Sequence, residues 1–185
     1  MKLAAAIVFA MAFRPQAPPT PPEPPTLTHR EALVEVALSQ VGVQEATGKN
    51  DGTEVEAYLR TTGLGKGFAW CAAFVAWCGV ETELLHGKPN PYPVSAWSPT
   101  FGAGGTRDID QARPADTFQI YYRSKKRIGH VGIVESTTGS TIITIEGNTS
   151  STAALGSAAD REGQGVYRKR RPKIGIYSVT DHLSK

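Results

Sequence analysis

The sequence predicts an α+β domain in which N-terminal helices, one of them buried and central, pack on an antiparallel sheet. Apolar residues recur at helical spacing in the first half of the chain, and runs rich in Ile, Val, Thr and Tyr follow in the second. Helices first and strands afterwards is the order of an α+β domain, because βαβ units would alternate the two. At 185 residues, with 40% hydrophobic and 20% charged residues, the chain suits one globular domain with an appendage.

The appendage comes first. Residues 1–13 carry Lys2, a short apolar run and an Ala10-x-Ala12 ending, which is the grammar of a secretory signal. The run is well short of the roughly 20 residues that span a bilayer, so no stable membrane insertion is expected. Residues 14–27 hold seven prolines and read as an extended spacer. The folded domain is expected over residues 28–185.

Thr28-x-x-Glu31 is a capping box, followed by Leu33, Val36, Ala37 and Val41 at helical spacing, with Gly42 expected to end the helix. A loop from Gly48 to Gly52 leads to a short helix from Thr53 to Arg60. Gly63, Gly65 and Gly67 then approach a helix from about Ala69 to Leu85. Its first three turns are apolar on nearly all sides, which places it in the centre of the fold. The proline- and glycine-rich stretch from Gly87 to Gly105 reads as a long surface excursion whose Trp97 and Phe101 form a lid or line a cleft. Strands are expected at 117–122, 128–135, 140–146, 166–171 and 173–179.

The net charge of +3 favours approach to anionic polymers such as cell walls and is too small to argue for nucleic acid. The clusters Lys125-Lys126-Arg127 and Arg168-Lys169-Arg170-Arg171 read as solvated loops or strand ends. Cys71 and Cys78 lie on one helix roughly 10 Å apart, beyond the roughly 7 Å limit for a disulfide, so both thiols are expected to be free. Cys71 falls in the first helical turn, where unpaired N–H groups favour a thiolate. Cys78 lies two turns deeper and reads as a small core residue.

His29, His86 and His182 read as solvent-exposed. His130 differs, because it sits on a strand between Gly129 and Gly132. Strand alternation puts His130, Gly132 and Val134 on one face and Val131 and Ile133 on the other. The small neighbours leave room beside the ring for close approach of a substrate. Glu146 and Asn148, two residues apart on the next strand, share a face and are both placed to orient an imidazole. The set therefore offers a nucleophile (Cys71), a general base (His130) and orienting groups (Glu146, Asn148). No HExxH, paired CxxC, GxSxG, Walker A or GxGxxG pattern supports metal, serine or nucleotide chemistry.

The ordered segments WCAAFV, GHVGIV and IEGN resemble the CHAP domain, the cysteine, histidine-dependent amidohydrolase/peptidase family of the papain-like, NlpC/P60-related superfamily. Arg113-Pro114-Ala115-Asp116 is similar to the family's R-P-G-D entry to a strand, with Ala in place of Gly. Val41-Gly42-Val43-Gln44-Glu45 and Asn50-Asp51-Gly52 resemble family members too, so the likeness spans about residues 28 to 180. It implies a papain-like CHAP fold, with Cys71 as nucleophile, His130 as base, and Glu146 and Asn148 as polar partners. Some relatives bind calcium through an Asp-rich loop before the cysteine. Here that region has only Asp51, Glu54 and Glu56 without close Asp spacing, so neither metal nor cofactor is expected.

The resemblance further implies hydrolysis of amide bonds in peptidoglycan or its peptides, as an N-acetylmuramoyl-L-alanine amidase or an endopeptidase. The expected setting is exported, periplasmic or extracellular at the cell wall, in a bacterium or a phage, as a monomer and in the manner of an endolysin. Two other readings use the same residues: a cysteine amidase on a small γ-glutamyl or polyamine amide, and a non-catalytic wall-binding module.

Overall fold

Thr28 caps the first helix through both halves of the expected box. Its hydroxyl accepts from Glu31 N, and the Glu31 carboxylate accepts from Thr28 N, opening α1 (His29–Ser39). The structure, a computed structural model, describes residues 26–103, 106–152 and 162–184. The signal-like segment 1–13 and nearly all of the spacer 14–27 lie outside the described residues. α1 buries Ala32, Leu33, Val36 and Ala37 and ends before Gly42, whose φ of 99° turns the chain back towards Val166.

α2 (Thr53–Thr61) and α1 both pack on α3 (Cys71–His86), which is the central helix the apolar run predicts. Gly87 closes α3 with a left-handed φ of 63°. The strands β1 (Thr106–Arg107), β2 (Thr117–Tyr122), β3 (Arg127–Thr138), β4 (Thr141–Thr149), β5 (Gly165–Pro172) and β6 (Ser178–Thr180) make one antiparallel sheet in the order β1-β6-β2-β3-β4-β5. The α+β class and the helix-on-sheet arrangement are as the sequence predicts.

Alternation along β3 divides its side chains between two apolar clusters. Val131 and Ile133 join Ile145, Val166 and the three helices in one. Val134 joins Phe118, Ile120, Ile142 and Val179 in the other. α1 is tied to the far end of the chain by ion pairs. Arg30 donates to Asp116 and Asp181, both at 2.8 Å, and Arg107 pairs with the same two carboxylates.

Two expectations change, and one short strand is new. The stretch 173–179 is not a full strand, because Lys173–Gly175 is a 3₁₀ turn with Ile174 97% exposed, and pairing resumes only at Ser178. The two-residue β1 is too short to leave a periodic signal in sequence. The proline- and glycine-rich stretch is not merely a surface excursion, since Tyr92, Ser98 and Phe101 are buried. The Tyr92 hydroxyl donates to Ala115 O at 2.8 Å and draws that stretch inward. Ala115 itself has φ 66°, the left-handed conformation that favours the glycine of the R-P-G-D pattern.

Candidate active site

The start of α3 is built by three segments that meet there. Trp70 is the N-cap residue and offers no side-chain cap. Asn148 Oδ1 accepts from Trp70 N at 2.9 Å, and Glu45 accepts from Trp70 Nε1 at 2.9 Å. Gly147 makes this contact possible, because a Cβ there would lie 2.6 Å from the Trp70 ring and 2.9 Å from Phe74. The segment Glu146-Gly147-Asn148 thus lets β4 touch the helix and pins its first turn. Cys71 follows as the first helical residue, 4% exposed, with its N–H among those an α-helix leaves unpaired.

His130 is fully buried on β3, and its Nε2 meets Glu146 Oε2 at 2.9 Å. With that nitrogen committed, Nδ1 is the ring atom left for the thiol, and it has no hydrogen-bond partner. The thiol and the ring are close enough to act on each other. Ser98 Oγ lies 3.5 Å from Cys71 Sγ on the other side. Beside His130, Gly132 leaves no room for substrate, whereas Gly129 lines the cleft next to Cys71. A Cβ on Gly132 would lie 2.7 Å from Phe118 and 2.9 Å from Glu146 Cγ, so the glycine admits those two side chains instead.

Glu146 is the most heavily held group in the site. Its Oε1 accepts from Arg171 Nε at 2.6 Å and from Thr144 Oγ1, and its Oε2 accepts from Arg171 Nη2 as well as meeting His130. Arg171 is only 3% exposed, so the basic run 168–171 is not wholly solvated as the sequence suggests. Asn148, expected to reach the imidazole beside Glu146, does not. The strand bulges between Glu146 and Thr149, Asn148 turns to φ 56°, and its amide serves Trp70 N, Asn50 and Gly163 O.

Electrostatics follow this geometry. Burial pushes the Cys71 thiol up, but the His130 imidazole and the Ser98 hydroxyl outweigh it and hold the thiol below its ordinary value. Burial pushes His130 down, but Cys71 and Glu146 raise it to about 9. Burial likewise opposes the Glu146 charge, yet Arg171 and His130 hold that carboxyl well below the usual range. Each charge favours the next, so the arrangement supports a thiolate beside an imidazolium.

The thiol opens on a cleft of about 260 Å³ lined by Phe68, Trp97, Lys125, Arg127 and Gly129 among others. Trp97 and Phe68 are more than half exposed, and the Arg127 guanidinium lies 4.2 Å from the Trp97 ring centroid. Part of the other basic run therefore walls the cleft. The remaining histidines lie elsewhere. His29 and His86 are partly buried, and His182 is 6% exposed, bonded to Thr117 Oγ1 at 2.9 Å between Tyr92 and Phe101, so it is not the exposed residue expected. Among the described residues no group of three or more His, Cys, Asp or Glu is placed to hold a metal ion, and no helix is long and apolar enough to cross a membrane.

Ser98 and Arg171 carry no motif. The one signal for Arg171 is register: it faces the apolar Ile142 across the ladder, on the side of β4 that also presents Thr144 and Glu146.

Residues 63–148 match the CHAP domain family model, a span that contains Cys71, His130, Glu146 and Asn148. The resemblance read from the motifs is thus shown over that span. No curated protein matches the chain. Among solved structures it is similar to the NlpC/p60 domain of the peptidoglycan hydrolase SagA, with 18% identity and a TM-score of 0.43 over 82% of this chain and 97% of that one. It is also similar to Ly7917, with 17% identity and a TM-score of 0.42 over 83% of this chain and 62% of that one. Both structural likenesses are weak beside the family match, which takes in Cys71, His130 and Glu146 together.

Proposed function

We propose that the protein is a cysteine-dependent hydrolase of amide bonds in peptidoglycan, either an N-acetylmuramoyl-L-alanine amidase or an endopeptidase. The observation that carries this is the series Cys71, His130, Glu146, with Cys71 on the wall of a cleft and all three within the segment matched to the CHAP domain. CHAP domains are a family of cysteine-dependent hydrolases. In this reading Cys71 is the nucleophile, His130 the acid and base, and Glu146 the group that orients the ring. Asn148, read from sequence as a second orienter, instead acts on the nucleophile by fixing the start of α3.

The reaction balances within these groups. Cys71 Sγ attacks the carbonyl carbon, and the N–H of Cys71 at the helix start is placed to donate to the oxyanion. His130 gives its Nδ1 proton to the leaving amine as the C–N bond breaks. The emptied Nδ1 then takes a proton from water, whose oxygen displaces the thiolate from the acyl-enzyme. Glu146 keeps Nε2 protonated throughout, which fixes the tautomer.

Lys125 stands on the cleft wall paired with Glu162 at 4.0 Å, and Arg127 beside it, with the whole chain's +3, supports an anionic peptide substrate. Such a substrate, with the signal-like residues 1–13, supports a setting at the cell wall, outside the cytoplasm, in a bacterium or a phage. Mass spectrometry of peptidoglycan digested with wild type and with Cys71→Ala tests the reading. New amine and carboxyl termini are expected with wild type alone, and they identify the bond. Equal digestion by both proteins overturns the mechanism, and no digestion by either overturns the substrate.

A further inference from the structure

Arg171 ends a run of four basic residues, and its side chain is 3% exposed while Arg168 and Arg170 face solvent. Arg168 has its own surface partner, Glu135, on the neighbouring face. Arg171 instead reaches Glu146 with two hydrogen bonds, Nε to Oε1 at 2.6 Å and Nη2 to Oε2. Oε2 is the oxygen that meets His130 Nε2 at 2.9 Å. The guanidinium carbon lies 5.9 Å from the Phe118 ring centroid, and the same ring lies 6.3 Å from the His130 ring. One guanidinium therefore holds both the carboxylate and the aromatic wall that together hold the imidazole.

Charge counting gives this contact a second meaning. In the reactive form the thiolate, imidazolium, Glu146 and Arg171 carry alternating charges that sum to zero. Without Arg171 the same form would carry one uncompensated negative charge in a site where His130 and Glu146 are fully buried, which low-dielectric surroundings strongly disfavour. The groups facing Glu146 are His130 from β3, Thr144 from β4 and Arg171 from β5, and of these Arg171 alone has a permanent charge.

We propose that Arg171 is a positioning residue for the hydrolysis: its two-pronged grip fixes Glu146 against His130, and its charge balances the thiolate–imidazolium form of the site. The proposal rests on the reading of Cys71 and His130 given above. The second prong distinguishes arginine from lysine, which offers a point charge and no fork.

The test is the pH dependence of Cys71 alkylation by iodoacetamide in wild type, Arg171→Met and Arg171→Lys, with thermal melting followed in parallel. Removing a fixed cation favours the protonated form of every acid beside it. The acid limb of Arg171→Met is therefore expected to move up by about one pH unit, or about tenfold slower labelling below it. Arg171→Lys is expected between the two, keeping the charge and losing one bond. A folded Arg171→Met with the wild-type limb overturns the proposal, and so does a lowered melting temperature with an unmoved limb, the signature of a merely structural role. If Arg171→Met does not fold, the limb of Arg171→Lys decides in the same way. A wild-type Cys71 with an ordinary thiol limb overturns the catalytic reading and this proposal with it. A shifted limb in a protein that leaves peptidoglycan intact supports the proposal and overturns only the substrate.

Discussion

Two cysteines sit on one helix, seven residues apart, and burial does not tell them apart: Cys71 is 4% exposed and Cys78 0%. Both are free thiols. Their chemistry nevertheless diverges, because the Cys71 thiol is held low while burial drives the Cys78 thiol well above its ordinary value. Cys71 stands at the helix start with His130 and Ser98 beside it. Cys78 lies mid-helix, where backbone groups are already paired and its own carbonyl accepts from Thr82 at 2.7 Å. Desolvation acts on both, so partners decide which thiol is held low.

The largest expected difference is in turnover. Cys71→Ala is expected to lower peptidoglycan cleavage by at least about a thousandfold, since no other group can form the acyl-enzyme. Cys78→Ala is expected to stay within about twofold of wild type, because it touches only packing. A comparable loss from both, measured as new termini released, breaks the contrast.

Labelling should separate them next. At about pH 6, Cys71 is expected to react with iodoacetamide on the order of a hundredfold faster than Cys78. Peptide mapping that finds equal labelling in the folded protein would show that partners do not matter.

Glu146→Gln sharpens the account of those partners. Its amide cannot stabilise the imidazolium, so kcat is expected to fall by about tenfold to a hundredfold. The sign of the pH effect is fixed. His130 in the free enzyme is raised to about 9 by Cys71 and Glu146, so the basic limb of kcat/KM lies near that value in wild type and moves lower in the variant. A limb that rises or stays in place contradicts this. Arg171 is left beside a neutral group, and a loss of about 3 kcal/mol in chemical denaturation is expected as well.

The smallest effect belongs to the packing thiol. Removing the buried sulfur of Cys78 is expected to cost about 1 kcal/mol, read as a lower denaturation midpoint with an unchanged slope.

The contrast was only half legible in sequence. Helix geometry alone separated Cys71 from Cys78 and forbade a disulfide. The capping box at Thr28 and the β-branched runs placed the helices and four strands because such signals are local. His130 and Glu146 come together through the pairing of β3 with β4, and simple alternation placed them on facing strands. The same alternation failed at Asn148, because a bulge after Glu146 rotates the chain and sends the amide to Trp70. Ser98 and Arg171 escaped for a different reason. Their roles depend on where a proline-rich segment folds inward and on which member of a charged run points down, and neither is written in spacing or composition.

Arg30 and Asp181 are 151 residues apart in sequence and 2.8 Å apart in space. A contact of such separation closes a long loop and needs both ends of it to be present. As the chain emerges from a ribosome, Cys71, His130 and Glu146 come out first, and β5 with Arg171 and then Asp181 follow. The alternating charges around Glu146 are therefore completed only once β5 has joined the sheet.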